Sequence, residues 1–244
     1  MTAPALLTPY GLTTELRAEP LGIDERRPRF SWRLADSRRG AGQGTYRIRV
    51  ATAERDLTDP ARLCWDSGEV RGDDSLHIGY PGAPLVSTPR YHWRVDLTDA
   101  AGRPGGSAQS WFETALLHAD EWTAAWIGRD PLAAPPMEPP QDHDRTGRTR
   151  DLPPPAQLRR SFPLAARPVR ARLYATARGV YQLRVNGRRV GDEELAPGWT
   201  EYGTRLLYQT HDVTGSLAAG ENVLAAVLAD GWYSGYVGFD PGRA

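Results

Sequence analysis

The sequence of 244 residues contains no lysine, one cysteine and no long apolar run, and these shortages exclude several classes of protein. The single cysteine, Cys64, cannot form an internal disulfide framework or a cysteine-based zinc site. No window approaches the roughly 18 uninterrupted apolar residues that a membrane-spanning helix requires. Residues 1–20 contain neither a basic region nor a long apolar region, so we expect no signal peptide and a cytoplasmic location.

An excess of charge of one sign is also missing, because 30 arginines balance 30 acidic residues. The balance holds in both halves of the chain, so neither half has the basic field that sequence-independent nucleic-acid binding requires. A GC-rich coding sequence explains the use of arginine alone, and clusters of arginine are therefore not interpreted as phosphate sites. We predict neither a nucleic-acid partner nor a membrane partner.

Short runs of alternating apolar and polar residues fill the first half of the sequence. Phe30, Trp32 and Leu34 alternate with arginine and serine, and residues 46–50 and 91–97 follow the same pattern. Such alternation places the apolar side chains on one face of a strand. Glycine and proline separate the runs, and no amphipathic helix lies between them. The pattern predicts an antiparallel β-sandwich over residues 1–118.

The second half, residues 119–244, is also predicted to be an all-β sandwich. Strands are expected at 122–128, 206–208 and 223–228, among others, and Asn186-Gly187 is the sequence of a tight hairpin turn. The proline-rich segment 131–155 is expected to be a disordered excursion. About six strands are recognisable where a sandwich of this kind has roughly eight, so this domain is expected to be incomplete at its C-terminal end.

The sequence contains no phosphate loop, dinucleotide-binding fingerprint or metal-binding helix motif. Glycoside hydrolysis needs two carboxyl groups on either side of the scissile bond. The adjacent acids Asp73 and Asp74, residues 192–194, and Asp56 with Asp59 lie in predicted turns. Carboxyl groups that are neighbours along a turn do not lie on opposite sides of a sugar. Acidic residues in such turns are usually exposed and solvated. We assign no catalytic residue.

Two segments combine glycine with aromatic residues, namely 195–202 and 229–236. Rings presented at a turn suit the apolar face of a sugar, and Asp230 and Asn222 could hold its hydroxyl groups. The candidate substrate-binding residues are thus Trp232, Tyr233, Asp230 and Asn222. The alternative is that the tryptophans fill the end of the core. Spacing favours this alternative for Trp199 and leaves Trp232 and Tyr233 evenly divided between the two interpretations.

In the order and spacing of many short segments, the chain resembles the N-terminal region of bacterial α-L-rhamnosidases of glycoside hydrolase family 78. Each segment is weak evidence alone. They include residues 29–34, 45–51, 65–68, 91–95, 122–128, 179–187, 190–192, 195–202, 208–214, 220–222 and 230–233. The resemblance implies a fibronectin type III-like domain followed by a galactose-binding-like (jelly-roll) β-sandwich.

The same resemblance implies a function. In some members of the family the second domain is a calcium-dependent rhamnose-binding module, while hydrolysis takes place in a later (α/α)6 barrel. The chain is therefore expected to be an accessory, non-catalytic part of such an enzyme, with a rhamnose-containing glycoside and a downstream catalytic domain as partners. Calcium is the only cofactor implied, with Asp230, Asn222 and Asp212 as loosely suggested ligands. Two alternatives are a split or truncated gene product, and a protein-interaction module of fibronectin type III type.

Overall fold

The computed structural model describes residues 6–128 and 154–234, together with the backbone of two short strands at 142–143 and 149–150. The chain divides into two compact units, Met1–Thr123 and Ala124–Ala244. We describe each unit by itself. The boundary predicted after residue 118 remains a prediction, a few residues before this division.

Two antiparallel sheets form the first unit. One has the strand order β1-β2-β6, and the other has the order β4-β3-β7-β8, with β5 also paired to β3. The strands are β1 (Thr8–Thr14), β2 (Arg29–Ala35), β3 (Gln43–Ala51), β4 (Leu63–Asp66), β5 (Val70–Arg71), β6 (Ile78–Gly79), β7 (Arg90–Asp99) and β8 (Pro104–Glu113). Short 3-10 turns lie at Glu54–Thr58, Pro60–Arg62 and Ala119–Glu121.

An aromatic core lies inside this unit, and the predicted alternation explains it. Along β7 every second side chain is buried, including Tyr91, Trp93 and Val95. The Phe30 ring of β2 lies 4.6 Å from the Trp93 ring of β7, measured between centroids. The Trp32 indole N–H donates to Gln43 Oε1 over 3.0 Å, so the polar edge of this buried ring is satisfied.

The turn between β7 and β8 is organised by the buried Asp99 carboxylate. Oδ1 accepts from the backbone N–H groups of Ala101 (2.9 Å) and Arg103 (3.0 Å), while Oδ2 accepts from the guanidinium groups of Arg103 (2.8 Å) and Arg38 (3.1 Å). The backbone bond from Arg103, followed by its side chain, holds the pKa of Asp99 well below its usual range. These bonds stabilise the ionised carboxylate and therefore the folded state.

Replacing Asp99 by asparagine is expected to reduce the stability of the first unit in a pH-dependent way. Because the folded-state pKa is lowered, the stabilisation is fully present above the unfolded-state pKa, about 3.9, and is lost as the pH falls toward the folded value. The free energy of unfolding of Asp99→Asn should therefore fall furthest below that of wild type at neutral pH, and the difference should shrink below about pH 4. Denaturant unfolding across this range measures it, with the exposed Asp73→Asn as control. A deficit of constant size down to acidic pH would contradict this explanation.

In the second unit, a four-stranded antiparallel sheet has the order β11-β16-β13-β14, and a two-stranded sheet joins β12 to β15. A two-residue ladder joins β9 to β10 within the segment predicted to be disordered, most of which lies outside the described residues. The elements are β9 (Asp142–His143), β10 (Thr149–Arg150), β11 (Ala156–Leu164), β12 (Arg172–Ala175), β13 (Val180–Val185), β14 (Arg188–Val190), β15 (Gln209–Asp212), β16 (Gly220–Ala229), a 3-10 turn at Thr214–Ser216 and the one-turn helix α1 (Gly231–Ser234).

The hairpin predicted at Asn186-Gly187 is confirmed. Both residues have positive φ, 50° and 82°, and β13 and β14 pair on either side of them. Asparagine and glycine tolerate this conformation better than other residues, which is why the pair specifies the turn. The all-β prediction is confirmed for both units.

Two predicted strands are wrong. Residues 122–128 form no strand, and the strand expected at 206–208 begins only at Gln209. In the second case the preceding segment is a turn, because the N–H groups of Thr204 and Arg205 both donate to the Glu201 carbonyl. The Leu207 carbonyl accepts from the Thr176 hydroxyl over 2.6 Å and so engages a side chain rather than a neighbouring strand.

Candidate functional site

Two glycine-containing turns pack against each other at one end of β13 and β16, the two central strands of the four-stranded sheet. β13 begins opposite the end of β16, with Val180 paired to Ala229. Gly179, just before β13, has φ +107°, and a Cβ atom built there would lie 2.3 Å from the Ala229 carbonyl oxygen. Gly231, just after β16, has φ +52°, and its Cβ atom would lie 2.8 Å from Val180 Cγ1. Only glycine permits this close approach.

Asp230 starts the one-turn helix α1 between these contacts. Its carbonyl accepts from the N–H groups of Tyr233 (3.2 Å) and Ser234 (3.4 Å), and its Oδ1 accepts from the Ser234 hydroxyl (3.2 Å). The turn therefore fixes the direction of the two aromatic residues that follow Gly231. The structure brings the predicted residues Asp230, Trp232 and Tyr233 together, as their adjacency in sequence requires.

Four rings form what we call the aromatic cluster: Trp199, Tyr202, Trp232 and Tyr233. The indole rings of Trp199 and Trp232 are nearly parallel, with an interplanar angle of 7° and centroids 6.4 Å apart. Tyr202 and Tyr233 meet edge to face at 5.4 Å. Trp199 is 66% exposed, so its prediction as a core residue is wrong. Gly198, with φ +101°, turns the chain just before it, and the indole packs on another surface ring instead of entering the core.

Arg178 completes this surface, and sequence reasoning missed it. Its Nη1 lies 3.4 Å from the Tyr233 hydroxyl, and its Cζ lies 5.6 Å from the centre of the Tyr233 ring and 5.1 Å from that of Trp126. Arg178 precedes Gly179, so the close backbone approach at that glycine also places the guanidinium beside the cluster. An arginine among 30 carries no signal of its own in the sequence.

A chain of hydrogen bonds holds the loop that carries Trp199. The Tyr181 N–H donates to the Ala196 carbonyl (2.9 Å), and the Tyr181 hydroxyl donates to Gln209 Oε1 (2.6 Å). Gln209 Nε2 then donates to the Pro197 carbonyl (3.1 Å). Burial raises the pKa of the Tyr181 hydroxyl well above its usual value, so the phenol remains a donor at neutral pH. The strands β13 and β15 thereby fix both residues that precede Gly198.

Replacing Gln209 by leucine is expected to loosen this loop. Leucine can neither accept from Tyr181 nor donate to Pro197. The buried Pro197 carbonyl then loses this partner, at about 1–3 kcal/mol, and the Tyr181 hydroxyl keeps only the longer contact of 3.4 Å with the Ala175 carbonyl. The amide of Tyr181, which donates to the loop, should exchange with solvent at least about tenfold faster. Amide hydrogen exchange read by NMR measures the effect. The exposed Gln157→Leu on β11 is the control, and equal protection of Tyr181 in all three proteins would contradict the role of Gln209.

Asn222, the fourth predicted substrate-binding residue, lies apart from the cluster. It sits near the start of β16, eight residues before Asp230, or about 26 Å along an extended strand. Its side chain is fully buried. Oδ1 accepts from the Ala218 N–H and the Asn186 amide, and Nδ2 donates to the carbonyls of Ala218 and Gly220. The amide thus anchors the turn before β16 and has no capacity left for a sugar, so we omit it from the proposed site.

Within the described residues, the loosely suggested calcium ligands are not brought together as a metal site. Asp212 forms an ion pair with Arg172 at 3.0 Å and accepts a hydrogen bond from the Thr214 N–H. The Asn222 amide already uses its oxygen and its nitrogen in hydrogen bonds within the protein. Across residues 6–128 and 154–234, no three His, Cys, Asp or Glu side chains are grouped so that they could hold a metal ion. Calcium prefers six to eight converging oxygen ligands.

Several carboxyl groups are arranged for structure rather than for acid–base chemistry. Five have a pKa below the ordinary value because they accept hydrogen bonds from arginine, serine or backbone groups. They are Glu15, Asp36, Asp66, Asp99 and Glu121. A general acid in glycoside hydrolysis needs a raised pKa. Among the neighbouring acids considered from the sequence, Glu194 pairs with Arg189 at 2.8 Å, and Asp59 accepts from the Ala61 N–H at 3.0 Å.

The fold and these segments match two described domain families. Residues 9–118 match the model of the Rha78A-like N-terminal immunoglobulin domain, and residues 166–244 match that of the α-L-rhamnosidase N-terminal domain. The protein is thus a pair of all-β domains of the kind that stands at the N-terminus of α-L-rhamnosidases. The chain belongs to the α-L-rhamnosidase family through these N-terminal domains.

Individual relatives agree with this assignment. An α-L-rhamnosidase of Formosa agariphila is 34% identical over 90% of this chain and 23% of its own length, and that of Streptomyces avermitilis is 29% identical over 93% and 37%. The α-L-rhamnosidase structure from Dictyoglumus thermophilum has a TM-score of 0.82 at 30% identity, covering 93% of this chain and 25% of that one. The S. avermitilis enzyme complexed with L-rhamnose has a TM-score of 0.83 at 27% identity, covering 96% and 37%. The chain therefore spans between 23% and 37% of the length of these relatives.

Across the part of the chain that the structure describes, no helix has the length and apolarity needed to span a membrane.

Proposed function

We propose that this chain is a non-catalytic, accessory part of an α-L-rhamnosidase and that its second unit binds a rhamnose-containing glycoside at the aromatic cluster. The observation that carries the proposal is the stacked pair of Trp199 and Trp232. The Trp199 ring lies nearly parallel to the Trp232 ring, and the residue is 66% exposed. A flat, open indole supported from behind is suited to the C–H face of a pyranose.

Rhamnose suits such a surface because its 6-methyl group adds apolar area to the sugar ring. Asp230, two residues before Trp232, supplies a carboxylate near the rings that can accept hydrogen bonds from sugar hydroxyls. The L-rhamnose in the S. avermitilis complex is a ligand of a relative with the same fold, which supports the choice of sugar. A cytoplasmic location remains a prediction.

The proposal assigns hydrolysis to another part of the enzyme. Two carboxyl groups must face each other across the glycosidic bond, about 5–10 Å apart, and the acids discussed above serve in ion pairs and turns. We therefore expect no hydrolysis of an aryl α-L-rhamnoside by the purified chain. The same assay with a separately expressed rhamnosidase barrel supplies the positive control. Turnover by the chain alone would overturn the non-catalytic assignment.

Binding is tested by calorimetric titration of L-rhamnose into the full chain, with and without calcium. Trp199→Ala is expected to weaken binding by about tenfold or more, or about 1.4 kcal/mol, because the stacking face is removed. Trp111→Ala is a matched control, since Trp111 lies in the first unit beneath Arg90. No heat for wild type in either buffer, or equal affinities of wild type and Trp199→Ala, would contradict the proposed site.

A further inference from the structure

The two asparagines of the sequence, Asn186 and Asn222, are hydrogen-bonded to each other. The Asn186 amide nitrogen donates to Asn222 Oδ1 over 2.8 Å and to the Ser216 carbonyl over 2.9 Å. The Asn186 amide oxygen accepts from the Val223 N–H over 2.8 Å. These three bonds, which we call the amide contact, hold the hairpin between β13 and β14 against the turn that precedes β16.

The residue after Asn186 leaves the same amide open to a chemical reaction. Asn186 and Gly187 are exposed, and apart from chain neighbours no atom of the described residues lies within 4 Å of a Cβ atom built at Gly187. Asparagine is thermolabile because a following backbone nitrogen can attack its side-chain carbon, and glycine hinders this attack least. Asn222 is fully buried and is followed by the β-branched Val223, which hinders it most.

We propose that Asn186 is a site of spontaneous deamidation and that the reaction breaks the amide contact irreversibly. In the first step the Gly187 nitrogen loses its proton and bonds to the Asn186 side-chain carbon. The bond from that carbon to the amide nitrogen breaks, and ammonia leaves. Water then opens the five-membered imide at either carbonyl and gives aspartate or isoaspartate. One water is consumed and one ammonia is released, without oxidation or reduction.

The hydrogen bonds of the amide contact control when the reaction occurs and prevent the contact from forming again. While they are present, the Asn186 amide is fixed against another segment and does not rotate onto the Gly187 nitrogen. In the product, an oxygen replaces the donating nitrogen and faces two acceptors, the Ser216 carbonyl and Asn222 Oδ1, with no proton to donate. Asn222 is unable to turn its amide round, because its own nitrogen donates to two carbonyls of the turn.

The reaction is measured by incubating the full chain at mildly alkaline pH beside a synthetic peptide of residues 180–192. Trypsin cleaves after Arg184 and Arg188 and releases Asn186 in a short peptide. Mass spectrometry of that peptide detects the replacement of amide by acid, and an isoaspartyl methyltransferase detects isoaspartate. Each hydrogen bond holds the amide in place by a factor of about two to twelve, so the chain is expected to react about tenfold to a thousandfold more slowly than the peptide.

Asn222 is the control in the same digest and should remain unmodified. A chain that reacts as fast as the synthetic peptide would show that the amide contact does not control the reaction. Absence of product after a time sufficient to detect a reaction about a thousandfold slower would show that Asn186 is not a modification site. Either result overturns the proposal.

Asn186→Asp reproduces the aspartate product, and amide hydrogen exchange measures its effect. The Ala218 N–H, which donates to Asn222 Oδ1, is expected to exchange about tenfold faster than in wild type, because the new carboxylate repels that oxygen. Gln182→Glu is the matched control, since it makes the same change from amide to carboxylate on β13, where Gln182 accepts from the Arg184 guanidinium. It should keep the wild-type exchange rate. Unchanged exchange of Ala218 in Asn186→Asp would contradict the proposed loss of the amide contact.

Discussion

Replacing Trp93 by alanine is expected to lower the free energy of unfolding of the first unit by about 3–5 kcal/mol. The Trp93 side chain is fully buried at the centre of the aromatic core, 4.6 Å from Phe30. Truncation removes the largest apolar surface of β7 and leaves a cavity between the two sheets, which surrounding side chains fill only in part. Because the chain has two units, amide hydrogen exchange of β7 reports this loss better than a single global transition.

Two further variants separate the causes. Trp93→Phe keeps an aromatic ring and removes an indole N–H that is buried without a hydrogen-bond partner in the described structure, so its effect should be much smaller. Trp111→Ala removes a half-buried indole from the neighbouring strand β8 and should also cost less. Losses of similar size in all three variants would mean that burial at Trp93 does not dominate the stability of this unit.

Replacing Gly179 by alanine is expected to disrupt the candidate site and to destabilise the second unit. The positive φ of +107° costs an L-residue about 1–3 kcal/mol. In addition, the new methyl group would lie 2.3 Å from the Ala229 carbonyl oxygen, so the two turns must separate. Arg178 and α1 would then lose their present positions, and sugar binding should fall by about tenfold or more.

Gly187→Ala is the matched control for that substitution. Gly187 also has a positive φ, 82°, but no atom lies within 4 Å of a Cβ atom placed there. The Gly187→Ala variant should therefore show backbone strain, but the turns at Gly179 and Gly231 should stay together. Its sugar affinity should stay near the wild-type value. Unfolding and rhamnoside titration of both variants measure the two effects. Equal losses of affinity would show that the close approach at Gly179 does not position the site.

Local patterns in the sequence were sufficient where one face of a strand is buried or a turn has special chemistry. The alternation along β7 and the Asn186-Gly187 turn are of this kind. β1 was missed because Pro9 and Gly11 are unusual in strands, and Gly11, with φ 58°, lies within a bulge. Residues 206–208 are apolar and therefore resemble a strand in sequence. In the structure, backbone hydrogen bonds of the preceding turn and a hydrogen bond from the Thr176 hydroxyl to the Leu207 carbonyl occupy this segment, so pairing with β12 begins only at Gln209.

The candidate site was predictable only in the part that is contiguous in sequence. Asp230, Trp232 and Tyr233 share one turn, so their proximity follows from adjacency. The contacts of Trp199 with Trp232 and of Arg178 with Tyr233 depend on the pairing of β13 with β16, which no local pattern fixes. For the same reason Asn222 was grouped with residues that lie at the opposite end of its strand.

The most direct test of the binding site is a two-dimensional NMR titration of the full chain with L-rhamnose, following the indole N–H signals of its 8 tryptophans. We predict that the signals of Trp199 and Trp232 shift in a saturable way, while those of Trp32 and Trp93, buried in the first unit, stay in place. Saturable shifts confined to other tryptophans, or no shift at any concentration, would contradict the assignment of rhamnoside binding to the aromatic cluster.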